Sequence, residues 1–263
     1  MRQKIGILYI CTGKYDIFWK EFYKSCEKYF LPGYTKEYFV FTDTKNLYNE
    51  EAPNINKIYQ AKLQFPLDTL MRFDMFLSIE EQLQQIDYLY FLNANIVFVK
   101  KIIDEEVFPT EEENGLIGYQ HAAFYDKLPN EFIYERNPKS TAFVEPGKGN
   151  CYYQGCFIGG KLENFLAMCK ILDKSIKEDL KNNFIAIWWD ESHINHYLLY
   201  KKVKLLHPGY AYPELWNLPF EKKAIMLDKS KRMALDILRG IKKPDLMDKV
   251  KLFIKKVTVK VKY

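Results

Sequence analysis

The chain has 263 residues, 48% of them hydrophobic and 16% aromatic, which suits one large α/β domain with a sizeable core. Its net charge of +5 is uneven: residues 242–262 hold eight lysines against two aspartates, a net +6, so the rest stands at −1 and a nucleic-acid-binding body is not expected. No apolar run reaches the roughly 18–20 residues of a spanning helix, no CxxC pair occurs among Cys11, Cys26, Cys151, Cys156 and Cys169, and no signal-peptide pattern opens the chain, so the expectation is a cytoplasmic protein with reduced thiols and no zinc.

Residues 4–11 (KIGILYIC) predict a buried strand, and residues 12–15 the loop from strand to helix. Phe18, Phe22, Cys26 and Tyr29 then recur at helical spacing. Strands follow at 38–42, closed by Asp43, and at 55–59. One helix is expected over 67–84, with Leu70, Phe73, Leu77 and Leu83 inward. Residues 88–92 (YLYFL) are a further buried strand, and extended chain resumes at 96–99. From 115 to 160 the pattern turns irregular and glycines crowd at 147, 149, 155, 159 and 160, placed either for close approach to a ligand or for tight turns. Helices are expected over 162–181 and from Asp190 through Tyr200. Strands alternating with helices indicate a parallel or mixed sheet, whose ligands bind outside the carboxyl ends of the strands. The loop at 12–15 and the turn Asn93-Ala94-Asn95 fall at such ends.

Few side chains advertise chemistry by themselves. Asp190 and Glu191 follow Trp188 and Trp189. Aromatic walls desolvate a carboxylate and raise its pKa, so the pair suits a base, nucleophile or hydrogen-bond acceptor in sugar chemistry. The competing expectation is that Asp190 caps the helix, with Glu191 in its first turn. His193 and His196 lie three apart, but no third metal ligand is near. Asn93-Ala94-Asn95 alone reads as a turn, and Lys14 as a phosphate contact or a solvated lysine. In the tail, 241–263, Leu246, Val250, Phe253, Ile254, Val257 and Val261 can form an apolar stripe among lysines. That predicts a basic amphipathic helix in peripheral contact with an anionic membrane, the alternative being a solvated tail.

Three segments together, 132–136 (FIYER), 151–160 (CYYQGCFIGG) and 188–195 (WWDESHIN), resemble family 6 glycosyltransferases, which include the blood-group A and B transferases and bacterial relatives. The likeness runs from about residue 5 to 239, so the expected domain is 1–240. It implies a GT-A fold, a Rossmann-like mixed sheet flanked by helices. It implies retaining α1,3 transfer of galactose or N-acetylgalactosamine from UDP to a β-galactoside, often fucosylated, in bacterial glycan or lipopolysaccharide synthesis. The family's metal-binding Asp-x-Asp falls on Asn93-Ala94-Asn95, as in bacterial members that need no metal. Two neutral amides hold a hard divalent cation poorly, so no metal or other cofactor is expected and the leaving diphosphate needs side-chain cations instead.

The resemblance further implies donor contacts at Ile10, Cys11 and Tyr15 (uracil), Arg72 (ribose and sugar), Asn93, Asn95 and Asp190. Lys229 and, by a looser match, Arg239 close over UDP. Gln154, Gly155 and Cys156 match the stretch that discriminates donors; their bulk leans toward galactose. His121 and Trp188 match acceptor contacts, and Glu191 the nucleophile or acceptor-positioning carboxylate. Trp189 departs from the histidine of animal members. A catalytically silent carbohydrate-binding protein of the same fold is the competing reading.

Overall fold

A computed structural model describes residues 3–239. Its larger sheet contains β1 (Lys4–Ile10), β2 (Thr35–Thr42), β3 (Ile55–Tyr59) and β4 (Tyr88–Leu92). β5 (Ile96–Phe98) leaves for a smaller sheet, and β6 (Leu116–Gln120), β7 (Tyr153–Lys161) and β8 (Lys204–Leu206) complete the larger one. β9 (Tyr212–Pro213) and β10 (Ala224–Met226) join β5. The helices are α1 (Trp19–Tyr29), α2 (Leu67–Leu70), α3 (Arg72–Leu77), α4 (Asp104–Val107), α5 (Leu162–Lys181), α6 (Asp190–Leu198), α7 (Lys229–Arg232) and α8 (Leu235–Arg239). None of the described helices is long and apolar enough to cross a membrane.

The large sheet runs in the order β3-β2-β1-β4-β7-β6-β8. β1 to β4 are parallel, β7 is antiparallel to both its neighbours β4 and β6, and β8 runs parallel to β6. β1 and β4 are buried on both faces, which is why their sequences are continuous apolar runs. One face packs on α1 through Trp19, Phe22 and Cys26, the other on α3 and α5 through Phe73, Phe76, Phe165 and Leu172. This α/β, GT-A-like arrangement of a seven-stranded mixed sheet between helices is the expected one.

Three expectations fail in whole or in part. The helix over 67–84 is three pieces: α2, α3 and a 3₁₀ turn at Glu80–Leu83. Met71 leaves helical geometry with ψ near 10°, and the Ser78 hydroxyl bonds the Met75 carbonyl at 2.7 Å, a local bond that competes with the helix ladder. Of the four inward positions, Leu70, Phe73 and Leu83 are buried and Leu77 is half-buried. The stretch 115–160 is irregular mainly between β6 and β7, which pair as interior strands of the sheet with one register shift between Gly118 and Gln120. Gly159 disguises β7. A Cβ there would meet the Tyr90 ring at 2.4 Å, so the glycine serves cross-strand packing rather than a turn. The helix from Asp190 ends at Leu198, two residues before Tyr200. The amphipathic helix expected in 241–263 lies outside the described residues.

Candidate active site

A cavity of about 360 Å³ opens beyond the carboxyl ends of β1 and β4, in the size range of small-molecule sites. Ile10 closes β1 and Tyr15 starts the turn after it; both face the cavity. Arg72 enters from the start of α3, Asn93 from the end of β4, and His121 from the end of β6. Gln154, Gly155 and Cys156 line it along β7, and Trp188, Asp190 and Glu191 line it beside them, the Gly155 amide lying 3.3 Å from Glu191. Lys229 and Arg239, on α7 and α8, complete the lining. Segments up to 229 residues apart in sequence are thus brought to one place.

Two expected donor contacts lie elsewhere. Cys11 is fully buried outside the cavity, its carbonyl accepting the Thr42 hydroxyl at 3.0 Å. Asn95 is buried beneath the cavity floor, its amide donating to the Leu227 carbonyl at 2.6 Å. Lys14 is exposed and outside the lining. His193 and His196 point to different partners, the Ser175 hydroxyl and the Phe143 carbonyl, so they share no site. Among the described residues no cluster of three His, Cys, Asp or Glu side chains is placed to hold a metal.

The organising contact is an ion pair. Arg72 Nε lies 3.1 Å from Asp190 Oδ2, and both side chains are nearly inaccessible. Arg72 Nη1 donates to the Gly155 carbonyl at 2.7 Å, its Nε to Thr69 at 3.2 Å, and the guanidinium covers the Phe91 ring at 4.6 Å. Gly155 is required here: a Cβ would stand 3.3 Å from Asp190 Oδ2 and 2.9 Å from Ile194. Asp190 is therefore no helix cap. It is the first residue of α6, the cap position falls on Trp189, and the Asp190 carboxylate turns to Arg72 instead. Trp189 holds φ at 54°, uncommon for a bulky residue, with its ring edge-on to Phe65 at 4.6 Å.

Burial sets the charge state. It pushes Asp190 up to about 6, with Arg72 pulling the other way. It pushes Glu191 up to about 8, helped by the like charge of Asp190; a 3.3 Å bond from the Gly155 amide opposes it. Lys229, partly buried with its ammonium 5.2 Å from the Tyr15 ring centre, is pushed down to about 8 by burial and by Arg239 and Arg72. His121 is held at about 4 by burial and is neutral; its Nδ1 accepts the Ala123 amide at 3.0 Å, so its proton sits on Nε2. The cavity thus sets the ionised Asp190 and the proton-holding Glu191 beside Arg72, Lys229 and Arg239, a basin for a polyanion with an acidic wall next to it.

The residues at the end of β4 do not fit a divalent cation. The turn offers two neutral carboxamides and no carboxylate, a weak donor set for a hard cation, and Asn95 Nδ2 is turned to the Leu227 carbonyl. Of the carboxylates lining the cavity, Asp190 is matched to Arg72.

Sequence reasoning missed Asp68, Phe65, Thr69 and Phe91, all in the lining. Asp68 stands in the first turn of α2, where an acid is expected for the helix dipole alone. It is pushed up to about 6 by burial, and its Oδ1 is buried without a partner.

The family model described as glycosyltransferase family 6 matches residues 1–238. The chain is 40% identical to the O-antigen biosynthesis glycosyltransferase WbnI of Escherichia coli over 227 residues, 86% of this chain and 95% of that protein. It is 31% identical to the histo-blood group ABO system transferase 1 of Rattus norvegicus, across 80% of this chain and 61% of that protein. It is 28% identical to the globoside alpha-1,3-N-acetylgalactosaminyltransferase 1 of Gallus gallus, across 81% of this chain and 62% of that protein. The chain therefore spans nearly all of the bacterial relative and about three-fifths of the two animal ones.

Proposed function

The chain belongs to glycosyltransferase family 6 and is a hexosyltransferase, and from that premise we propose that it moves galactose or N-acetylgalactosamine from UDP to a β-galactoside, with retention and without a divalent metal. The acceptor in this reading is a fucosylated, blood-group-H-like end of a bacterial surface glycan. The observation that carries the proposal is the basin just described: Arg72, Lys229 and Arg239 converge on one cavity that the Asp190–Glu191 wall closes.

In the proposed reaction the bond from the anomeric carbon to the UDP β-phosphate oxygen breaks with its electron pair left on the phosphate, the acceptor hydroxyl oxygen forms the new bond to that carbon, and the hydroxyl proton passes to the departing phosphate oxygen. Lys229 and Arg239 meet that charge in place of a metal. Asp190, fixed by Arg72, takes hydroxyls of the donor sugar, and the Glu191 carboxylate faces the positive charge that grows on the anomeric carbon. Trp188, 36% exposed at the rim, offers its face to the acceptor sugar, and His121 offers its Nε2 proton. Gln154 and Cys156 line the cavity, and in this reading their bulk crowds an N-acetyl group and favours galactose; a single such group shifts selectivity by about 1–3 kcal/mol.

The test is turnover of the two UDP-sugars side by side, with 2′-fucosyl-lactose, in excess EDTA. Loss of activity in EDTA with rescue by Mn²⁺ would overturn the metal-free reading. Glu191→Gln should lower the rate by at least about a hundredfold, the scale of one positioned acid–base group, while UDP binding persists. An unchanged rate would remove Glu191 from the reaction, and the absence of turnover with every sugar pair would favour a carbohydrate-binding role.

A further inference from the structure

The Asn93-Ala94-Asn95 turn is bonded residue by residue to its surroundings. The Asn93 amide donates to the Cys156 carbonyl at 2.9 Å, and the Ile96 amide to the Asn93 carbonyl at 3.1 Å. The Tyr9 hydroxyl donates to the Ala94 carbonyl at 2.9 Å. The bonds of Asn95 run to a different part of the chain. The Leu227 amide donates to the Asn95 carbonyl at 2.8 Å, and Asn95 Nδ2 donates to the Leu227 carbonyl at 2.6 Å. These two bonds extend the pairing of β10 on β5, which ends at Met226 opposite Ile96, by one residue. Beyond Leu227 the chain leaves the sheet, and two residues on stands Lys229.

The chemistry of the contact requires an amide. A backbone carbonyl only accepts, so its partner must donate. An aspartate at this position would set oxygen against oxygen at the same separation, with both groups buried. Asn95 Oδ1 has no partner, so the side chain is held by its nitrogen alone.

We propose that Asn95 is a positioning residue rather than a donor contact: its carboxamide clasps Leu227 and so fixes the stretch of backbone from which Lys229 enters the cavity. A carboxamide in place of a carboxylate then has two effects at once. It removes a ligand for a hard cation, and it anchors the side-chain cation that serves in that cation's stead. The inference rests on the reading of Lys229 given above. It also bounds the size of the effect, because the Leu227 amide is held by the Asn95 backbone carbonyl at 2.8 Å and the Asp228 amide by Glu214 at 2.7 Å, so the clasp is one of three restraints at the start of the strap.

The test uses the full chain carrying Asn95→Ala, Asn95→Asp, Lys229→Ala and the double variant Asn95→Ala with Lys229→Ala. UDP affinity is measured by calorimetry with EDTA and with Mn²⁺, and amide hydrogen exchange is followed over 227–232 in the free protein. Asn95→Ala buries no charge, and a thermal melt establishes that it is folded before Asn95→Asp is compared with it. Lys229→Ala should weaken UDP about tenfold or more, the scale of a charge-assisted hydrogen bond. Both Asn95 variants should weaken UDP about tenfold and speed exchange at 227–232. In the Lys229→Ala background, Asn95→Ala should change UDP affinity by less than about twofold, because one residue acts through the other. Full additivity, unchanged exchange, or rescue of Asn95→Asp by Mn²⁺ would each overturn the proposal. Unchanged UDP affinity in Lys229→Ala alone would instead sink the reading of Lys229, and the clasp's role with it.

Discussion

Replacing Arg72 by alanine should be among the most destabilising single changes at the cavity. Arg72 Nε stands 3.1 Å from Asp190 Oδ2, which at an effective dielectric of about 20 is a gross attraction of about 5 kcal/mol. Desolvation of both groups offsets much of that while the pair is intact. Once Arg72 is removed the offset is gone: Asp190, 2% exposed, is left without its cation, and the Gly155 carbonyl loses its donor. Breaking one side of a buried pair costs about 3–5 kcal/mol, a large part of the roughly 5–15 kcal/mol that holds most domains together. Urea unfolding at pH 7 measures the loss. Adding Asp190→Asn to Arg72→Ala should restore about 2 kcal/mol of it, since the neutral amide tolerates burial better. The pH dependence gives a second check. Asp190 already stands at about 6, above its ordinary 3.8, and losing Arg72 raises it further. Between those values the folded variant keeps a proton that the unfolded chain has released, so stability falls as pH rises. The deficit should be smaller at pH 5 than at pH 8. A deficit below about 1 kcal/mol, or one equal at both pH values, would refute the assignment of Arg72 and Asp190 as a buried charge pair.

The dependence of kcat/KM on pH should be bell-shaped and centred near 8, rising as Glu191 ionises and falling as Lys229 loses its proton. Lys229→Arg should carry the alkaline limb upward; a limb that stays in place would assign it to another group. All five cysteines are buried and unpaired, with burial holding Cys11 and Cys26 up at about 12, so the folded protein should resist iodoacetamide at pH 8 until denatured. Rapid labelling of Cys156, which lines the cavity, would show that the site opens widely; UDP should then suppress that labelling. The lysine-rich run 242–262 predicts co-sedimentation with vesicles containing anionic lipid but not with neutral ones, and loss of that binding in half-molar salt would mark it as electrostatic.

Much of the sheet was legible because parallel strands buried on both faces leave unbroken apolar runs. β1, β3 and β4 fall within a residue of their expected bounds, and so does α5 with its long amphipathic stripe. β6 and β7 were not legible, because glycines such as Gly159 yield to the Tyr90 ring opposite, a demand set by the neighbouring strand. The break at Met71 was hidden for a similar reason: Arg72 is drawn toward Gly155 and Asp190, partners far along the chain. Most of the cavity lining was named through likeness to a family, since residues such as Tyr15, Gln154 and Trp188 carry no signal alone. The direction of Asn95 was beyond that likeness. It depends on Leu227, 132 residues away, and no local pattern announces such a contact.

The roof of the cavity is also the last part of the described chain to be made. Lys62 donates to the Leu238 carbonyl at 2.5 Å, Leu238 is fully buried, and Arg239 covers Phe65 at 4.8 Å. The seven-stranded sheet is complete at Leu206. On a ribosome adding about 5–20 residues per second, Leu206 is joined roughly 2–7 seconds before Arg239, so the strands leave the ribosome ahead of the cover. Until that cover docks, the nascent protein has the floor and walls of its cavity but no roof over Ile10, Tyr15 and Phe65. Newly made molecules should therefore pass through a stage that is folded in its sheet, unable to retain the donor, and most in need of a chaperone at this one mouth.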